Sequence, residues 1–331
     1  MRLIKYMKDR GADVAIVGAG ITGLMAARAL ARTGTEVVVL EKSPVVGGRV
    51  TTRRFGDAVF DLGVQNFTAR SDRFRACVED WVATGICVPW YTREGSSGET
   101  VYYRGVPTMG EMVSHLAEGL DLHCGALVTA AVREEKDWFL QVEGDAEVRA
   151  RTLVLTAPAV QSRAILDAGG YPCPPGISQA LHRVGYVRTL TVLAQLDGPS
   201  GLPAPGILEP AGAEPVAWVA DNQLKGISPV PCLTIHSGPE FAQRFFDEPE
   251  ERWSGHLLNA VRPYLRADVV QVHAHRWRYA FREEGIGGQY LADSQARLWF
   301  AGDAFIDKRV EGAALSGLAA ADSILSALGA R

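Results

Sequence analysis

"ADVAIVGAGITGLMAARALARTGTEVVVLEK" (Ala12 to Lys42) decides the fold. Val14 to Val17 is an apolar, β-branched run that ends in a glycine turn and reads as a buried strand. Ile21 to Arg32 then reads as a helix stopped by Gly34. Glu36 to Glu41 is a second strand, which completes a βαβ unit. Between the first strand and the helix stands Gly18-Ala19-Gly20-Ile21-Thr22-Gly23. Gly18 allows the tight turn, Gly20 lets backbone approach a pyrophosphate, and Gly23 lets helix and strand pack closely. The helix N-terminus, with Ile21 and Thr22 in its first turn, offers free N–H groups to an anion. Glu41 ends the second strand about twenty residues on, where a carboxylate holds a ribose diol, with Lys42 beside it. An acid there disfavours a 2′-phosphate. The competing reading is a glycine turn with a packing role only.

The rest of the 331-residue chain sets bounds on function. Apolar residues make up 47% and charged residues 22%, an ordinary globular balance. The net charge of −4 gives no bulk attraction to nucleic acid. Cys77, Cys87, Cys124, Cys173 and Cys232 are far apart, with no CxxC pair. Zinc is therefore not expected, no metal is assigned, and a reducing, cytoplasmic location fits. The basic opening "MRLIKYMKDR" and the apolar run after it resemble a leader peptide, with Ala27-Arg28-Ala29 as a cleavage-like step. Gly18, Gly20 and Gly23 at ordered spacing, and Asp13 ahead of them, argue instead for the nucleotide turn. No apolar run is expected to reach the ~20 residues of a membrane span.

The middle of the chain changes character. "YPCPPG" (Tyr171 to Gly176) and Asp197 to Pro215 are rich in breakers. "TLTVLAQL", "VAWVAD" and "CLTIHSG" read as strands of a mostly antiparallel sheet. "FDEPEERWSGHLLNAVRPYL" reads as a helix capped by Asp247, with Trp253, Leu257, Val261 and Leu265 on one face. "ARLWFAGD" reads as a strand stopping at Gly302-Asp303. A last helix is expected from about Glu311 to Leu328, with Leu315, Leu318, Leu325 and Leu328 as its apolar stripe. Two strand–turn–helix units at opposite ends of the chain imply one nucleotide-binding domain with a second domain inserted in it. Gly47-Gly48-Arg49 supplies a second glycine pair with a cation. Asp303 supplies an acceptor for ribityl or ribose hydroxyls.

"VAIVGAGITGLMAARALARTGTEVVVLEKSPVVGGRVTT" resembles the FAD-binding N-terminus of the flavin amine oxidase superfamily. "DLGVQNFTARSDRF", "HRWRYA" and "ARLWFAGDAF…KRVEGAALSG" resemble its renalase branch, bacterial members above all. The resemblance covers most of the chain, least between Pro199 and Pro249. It implies an α/β fold, with a Rossmann-type FAD-binding domain like that of p-hydroxybenzoate hydroxylase and an inserted, mostly antiparallel-sheet substrate domain. The expected FAD domain takes residues 12–76, 106–166 and 284–331, and the substrate domain takes 77–105 and 167–283. The resemblance implies noncovalent FAD. Gly18, Gly20 and Gly23 would face its pyrophosphate, Glu41 the adenosine ribose, and Val128 the adenine. Gly48 and Arg49 would lie along the diphosphate and flavin side. Gly302 and Asp303 would reach the ribityl chain, and Arg309, Val310, Glu311, Gly312 and Ala313 the pyrimidine end of the flavin.

Amine-oxidising relatives frame the flavin with aromatic side chains, one of them two residues before the Glu-Gly-Ala step. This chain has Arg309 there. A guanidinium repels an ammonium substrate and suits phosphate or carboxylate. "VRTLTVLAQL" also lacks the lysine that such oxidases place near flavin N5. Renalase-like proteins imply oxidation of isomeric dihydronicotinamide dinucleotides to NAD(P)+. Hydride passes to flavin N5, and O2 reoxidises the flavin to give hydrogen peroxide. Such a step needs positioning more than acid–base chemistry. The candidate substrate residues are Gln65, Asn66, Trp218, Asn222, His275, Trp277, Tyr279 and Arg309. Against each aromatic stands core packing. Against His275 stands a structural histidine, and against Arg309 an ion pair with Asp303, Asp307 or Glu311. Asn66 departs from the branch, whose members carry an aromatic or aliphatic residue after the glutamine. A flavin amine or polyamine oxidase, and a flavin-holding sensor without turnover, are the alternatives. Neither nucleic acid nor membrane is expected as a partner.

Overall fold

The computed structural model describes residues 11–95, 98–210 and 215–329. The leader-like stretch "MRLIKYMKDR" lies outside them. The first unit is β1 (Ala12–Val17), α1 (Ile21–Ala31) and β2 (Val37–Glu41). A hairpin of β3 (Thr52–Phe55) and β4 (Ala58–Asp61) leads to α2 (Asp72–Ala83). A second hairpin, β5 (Cys87–Gly95) and β6 (Gly98–Gly105), precedes α3 (Met109–Ala117) and β7 (Asp121–Cys124). A meander of β8 (Val128–Glu134), β9 (Asp137–Val142) and β10 (Ala146–Leu155) follows. After it come α4 (Ala159–Ala168) and α5 (Pro175–His182). β11 (Tyr186–Leu196), β12 (Ile207–Leu208), β13 (Val216–Asp221) and β14 (Cys232–Ser237) come next. The chain continues through α6 (Pro239–Phe245), α7 (Glu250–Val261) and the long β15 (Val269–Arg282). It closes with β16 (Leu291–Asp293), β17 (Leu298–Phe300) and α8 (Val310–Gly329).

Two sheets organise these elements. The first has the order β16-β17-β10-β1-β2-β7, with β9 pairing β10 and β8. Its central pairs, β17–β10, β10–β1, β1–β2 and β2–β7, are parallel. Both faces of a parallel sheet must be covered, so β1 and β2 are apolar on both sides. Val14, Ile16, Val37 and Val39 pack with Leu24 and Leu30 of α1 and Ala314 and Ala320 of α8. Ala15, Val17, Val38 and Leu40 face Trp138 and Leu140 of the meander. A Cβ at Gly317 would collide with the Thr22 carbonyl, so α8 crosses α1 at backbone range. Thr22 Oγ1 donates to the Ala313 carbonyl at 2.9 Å at that crossing.

The second sheet, β12-β13-β14-β11-β15, is antiparallel throughout. One face carries Leu190, Val192, Leu233 and Ile235, buried against Phe241 of α6 and Trp253, Leu257 and Val261 of α7. Each of those large side chains adds about 1.5–3 kcal/mol of burial. The other face turns toward β4. Leu193 and Cys232 pack with Ala58, Phe60 and Leu62. Phe55 stacks on His273, with ring centroids 3.4 Å apart.

Several expectations are corrected. α7 starts at Glu250 behind Pro249 with no side-chain cap, and Asp247 faces Arg188 at 3.7 Å instead. Leu265 lies beyond α7, because Pro263 converts the end into a 3-10 turn. The domain boundary expected at 76/77 falls inside α2, whose Phe74, Val78 and Trp81 belong to the core around α1. β15 is a 14-residue strand whose His, Trp and Arg side chains mask its alternation in the sequence. α8 is long and apolar enough, by length and composition, to cross a membrane. Alanines and glycines supply much of its apolar character, between the leucines of the stripe. The helix is a packed core element, with Val310, Ala314 and Ile324 buried.

Candidate flavin and substrate site

A cavity of about 620 Å³ opens at the carboxyl ends of β1 and β2 and runs to β15 and the start of α8. At its nucleotide end the glycine turn has two kinds of reason for being glycine. Gly18 sits at φ +106°, the left-handed region, and a Cβ there would lie 2.6 Å from Thr156 Oγ1. A Cβ at Gly23 would collide with the Gly18 carbonyl, so that glycine serves helix–strand packing and does not line the cavity. Gly20 is different. A Cβ there would meet no protein atom closer than Gly47 O at 4.0 Å, yet Gly20 lines the cavity. No protein atom excludes a side chain at Gly20, so a requirement for glycine there would come from a ligand in the cavity.

α1 starts at this point with no side-chain cap and no acid in its first turn. Its first N–H groups and its positive end face the cavity, with Ile21 and Thr22 in the wall. Glu41 is buried and lines the same end. Its Oε2 accepts from Ala19 N and its Oε1 from Ser43 N, both at 2.8 Å. The carboxylate thus fixes the glycine turn and keeps lone pairs for hydroxyl donors. Lys42, Leu127 and Val128 complete this end. The residues present fit a dinucleotide: an uncapped helix end for pyrophosphate, an acid for a ribose, and an apolar wall for a base.

The far end is built over long sequence distances. Gly48 and Arg49 line it from the loop after β2, and Asp303 from the loop after β17. Arg49 grips Asp303 with two bonds, Nη1–Oδ2 at 2.6 Å and Nη2–Oδ1 at 2.8 Å, and reaches Ala280 O at 3.2 Å. Burial opposes the Arg49 charge, and the Asp303 carboxylate more than offsets it, so its pKa is raised. Both oxygens of Asp303 that were assigned to ribityl hydroxyls already accept from Arg49. Trp277, Tyr279 and Ala280 of β15 form a second wall, and Val310 and Ala313 of α8 a third. Arg276, Arg278, Lys308 and Arg309 also line the cavity. Arg309 is half-exposed and only 3.8 Å from Asp307 Oδ2.

Other expected residues lie elsewhere. Glu311 turns away from the cavity and accepts from Arg70 N, Ser71 N and Ser71 Oγ, holding the start of α2. It is corrected from cofactor ligand to structural anchor. Gly312 is corrected likewise, since a Cβ there would lie 2.5 Å from Asp307 Oδ1. Gly302 donates to Ser316 Oγ at 2.9 Å and does not line the main cavity. Gln65 is buried, with Nε2 donating to Asp61 O at 2.5 Å and Gly63 O at 3.1 Å. Asn66 is half-buried beside it. Asn222 is fully buried and donates to Thr234 Oγ1 at 3.0 Å. These three do not line the cavity. His275 is half-buried on β15, edge-on to Trp277 at 4.4 Å. Burial, and then Arg53, lower its pKa. Trp218 lies on β13 beneath the Arg93 guanidinium, 5.8 Å from its ring centroid.

Sequence reading missed two features. Lys225, in the loop after β13, is fully buried with Nζ 2.6 Å from Asp61 Oδ2, 3.4 Å from Gln65 Oε1 and 4.9 Å above the Trp90 ring. Burial lowers its pKa, and Asp61 works against that shift. This pair ties the loop after β13 to the end of β4, just ahead of Val64, which lines the cavity. His236, on β14, is the second. Its Nε2 lies 3.0 Å from Leu62 O. Its pKa falls to about 4, mainly through burial, so the ring is neutral. Neither residue sits in a motif. For His236 the available signal was a polar residue within an otherwise apolar strand; Lys225, in a loop, offered none.

An uncapped glycine-turn helix, a ribose-facing acid and a long cavity ending between two domains define a dinucleotide-cofactor oxidoreductase of the two-sheet flavoprotein type. Residues 16–81 match an NAD(P)-binding Rossmann-like domain, and residues 77–325 match the flavin-containing amine oxidoreductase family. The chain belongs to the flavin-containing amine oxidoreductase family and is an FAD-dependent oxidoreductase. It is 63% identical to an L-amino acid oxidase of Cerastes cerastes over 41 residues, 12% of this chain and 8% of that one. It is 38% identical to a 4,4'-diapophytoene desaturase of Staphylococcus aureus over 71 residues, 20% of this chain and 14% of that one. These matches span less than a fifth of those relatives' length. The fold is shared with cyclohexylamine oxidase from Brevibacterium oxydans, TM-score 0.70 at 17% identity over 97% of this chain and 100% of that one. A putrescine oxidase bound to putrescine gives TM-score 0.67 at 18% identity over 96% and 99%.

Proposed function

We propose that the protein is a renalase-like oxidase of isomeric dihydronicotinamide dinucleotides. The supporting observation is the charge of the cavity wall. The acids of the wall are Glu41 and Asp303. Of its cations, Lys42, Lys308 and Arg309 remain, with Arg309 no nearer than 3.8 Å to a carboxylate. Arg49 is bound to Asp303, and the Arg276 and Arg278 guanidiniums turn away to Phe246 and Glu248. Both acids are already engaged, Glu41 by two backbone N–H groups and Asp303 by Arg49. An ammonium substrate would find no free carboxylate and would face Arg309. A dinucleotide brings phosphates that suit these cations.

FAD supplies a hydride acceptor that passes electrons on to O2. The protein's residues bind and orient. α1 and Gly20 hold a pyrophosphate, and Glu41 a ribose. Trp277 and Tyr279 give flat apolar surface for a ring. Arg309 holds an anionic group beside it. The overall balance is dihydronicotinamide isomer plus O2 plus one proton, giving NAD(P)+ and hydrogen peroxide. A cytoplasmic location belongs to the same proposal and rests on five unpaired cysteines.

The fold shared with putrescine and cyclohexylamine oxidases favours an amine as the second reading. Aerobic turnover separates the two. With a borohydride-made NAD(P)H isomer mixture, NAD(P)+ and hydrogen peroxide should form in equal amounts. Peroxide from putrescine or cyclohexylamine, with none from the isomers, would replace the proposal with the second reading. Peroxide from neither would point to a flavin-holding protein without turnover.

A further inference from the structure

The face of the second sheet that turns toward β4 carries a row of side chains that neither the nucleotide cavity nor the core requires. Trp218 on β13 pairs with His236 on β14, His236 with Thr191 on β11, and Thr191 with His275 on β15. Directly paired residues of an antiparallel sheet share a face, with Cβ atoms ~5 Å apart, so these four side chains stand side by side. The face is the one that meets β4, since Thr234 Oγ1 donates to Asp61 O at 2.9 Å and His236 reaches Leu62 O. Trp277 joins the row to the cavity. Its ring meets Gly63 on one side and His275 on the other, and it lines the cavity itself.

The hydrogen-bond inventory of this row is incomplete. A carbonyl only accepts, so the 3.0 Å contact to Leu62 O puts the His236 proton on Nε2. A neutral imidazole then presents Nδ1 as an acceptor, and no donor among the described residues reaches it. Trp218 Nε1–H, a donor only, is buried without a partner. So are the Thr191 hydroxyl, which can serve either way, and Trp277 Nε1. Unpaired buried polar groups each cost about 1–3 kcal/mol, which a bound group can recover. The cations beside the row are engaged: Arg93, 5.8 Å from the Trp218 ring, is held by Glu209 through two bonds at 3.1 Å, and Arg53, near His275, bonds Thr51 Oγ1 and Thr52 O. The nearby carboxylates are occupied: Asp61 by Lys225, Thr52 and Met109 N, and Asp221 by Ser200, Gln223 N and Leu224 N. The site therefore suits a neutral group that has one donor and one acceptor side by side.

We propose that His236 Nδ1 and Trp218 Nε1–H form an amide-recognising subsite, which takes the primary carboxamide of a planar ring stacked at Trp277. The amide N–H donates to Nδ1, and its carbonyl accepts from Trp218 Nε1 or the Thr191 hydroxyl. A carboxylate in the same place would set its lone pairs against Nδ1. This inference rests on the dinucleotide reading above and adds its specificity element.

The test measures binding to the FAD-loaded protein by calorimetry and by the flavin's visible difference spectrum. The probes are NAD+ and its nicotinic-acid analogue, which differ only in amide against carboxylate. Wild type should favour the amide. His236→Gln keeps a donor for Leu62 O but displaces the acceptor, and Trp218→Phe keeps a ring but removes the donor. Each should weaken NAD+ binding roughly threefold to tenfold, the span of one neutral hydrogen bond, and leave the acid analogue unchanged. Unchanged flavin content confirms that the variants fold. If wild type binds both probes and neither variant moves the amide-to-acid ratio, the subsite is refuted while the dinucleotide reading stands. If wild type binds neither probe, both fall together.

Discussion

The nucleotide end of the cavity and its substrate face are built by opposite means. At the nucleotide end, one continuous stretch from Ala12 to Lys42 supplies strand, turn, helix and acid, and the contacts are backbone ones. Ala19 N and Ser43 N meet Glu41, and Gly23 lies against Gly18 O. At the substrate face, Lys225 meets Asp61 across 164 residues, His236 meets Leu62 across 174, and Arg49 meets Asp303 across 254. The first end is set by local geometry that any ligand of this class requires. The second is set by side chains that only tertiary packing brings together. Substitutions at the two ends should therefore fail differently.

The largest effect is expected at the junction. Lys225→Met strands Asp61 as a buried, unpaired charge and should cost about 3–5 kcal/mol in urea unfolding. Adding Asp61→Asn should recover part of that loss. A single variant as stable as wild type would show that the pair does not hold the sheets together. Next, Gly23→Ala should displace α1 from β1 and lower stability by about 1–3 kcal/mol. Gly20→Ala should leave the apoprotein's melting temperature almost unchanged and weaken FAD binding tenfold or more. Equal effects of the two on melting would erase the distinction drawn between these glycines.

Arg309→Ala should keep FAD, since the guanidinium is half-exposed and pairs only loosely with Asp307. Loss of one charge-assisted contact should lower kcat/KM for an anionic substrate roughly 10- to 100-fold. Loss of flavin along with it would give Arg309 a structural role. The smallest effect concerns pH. His236 titrates near 4 in the folded chain, below the ordinary value of 6.5. The unfolded state then binds the proton first, so the neutral ring's contribution is complete above pH 6.5 and is lost as pH falls toward 4. After solvent screening, wild type should lose about 1–2 kcal/mol over that window relative to His236→Gln. Parallel pH curves for the two proteins would contradict the neutral assignment.

The parts legible in the sequence follow the same division. Gly18, Gly20, Glu41 and β2 could be read because their spacing alone encodes a turn and an acid beside it. Three strands of the second sheet, β11, β13 and β14, showed apolar alternation. β15 did not, because its inward side chains are His275, Trp277 and Tyr279. Glu311 was misread because a helix-start acid looks the same whether it faces a cofactor or the backbone of residues 70 and 71. Lys225 and His236 were invisible because their roles depend on Asp61 and Leu62, far away in sequence. Arg309 was legible through resemblance, and it stands in the cavity wall beside Val310 and Ala313.

The central proposal is that this cavity serves a dihydronicotinamide and not an amine. Anaerobic mixing of the purified, FAD-loaded protein with NAD(P)H isomer mixtures, standard NADPH, and putrescine or cyclohexylamine tests it most directly. Fast bleaching of the flavin's visible band by the isomers, and none by the amines, is the predicted result. Bleaching by the amines without bleaching by the isomers would contradict it.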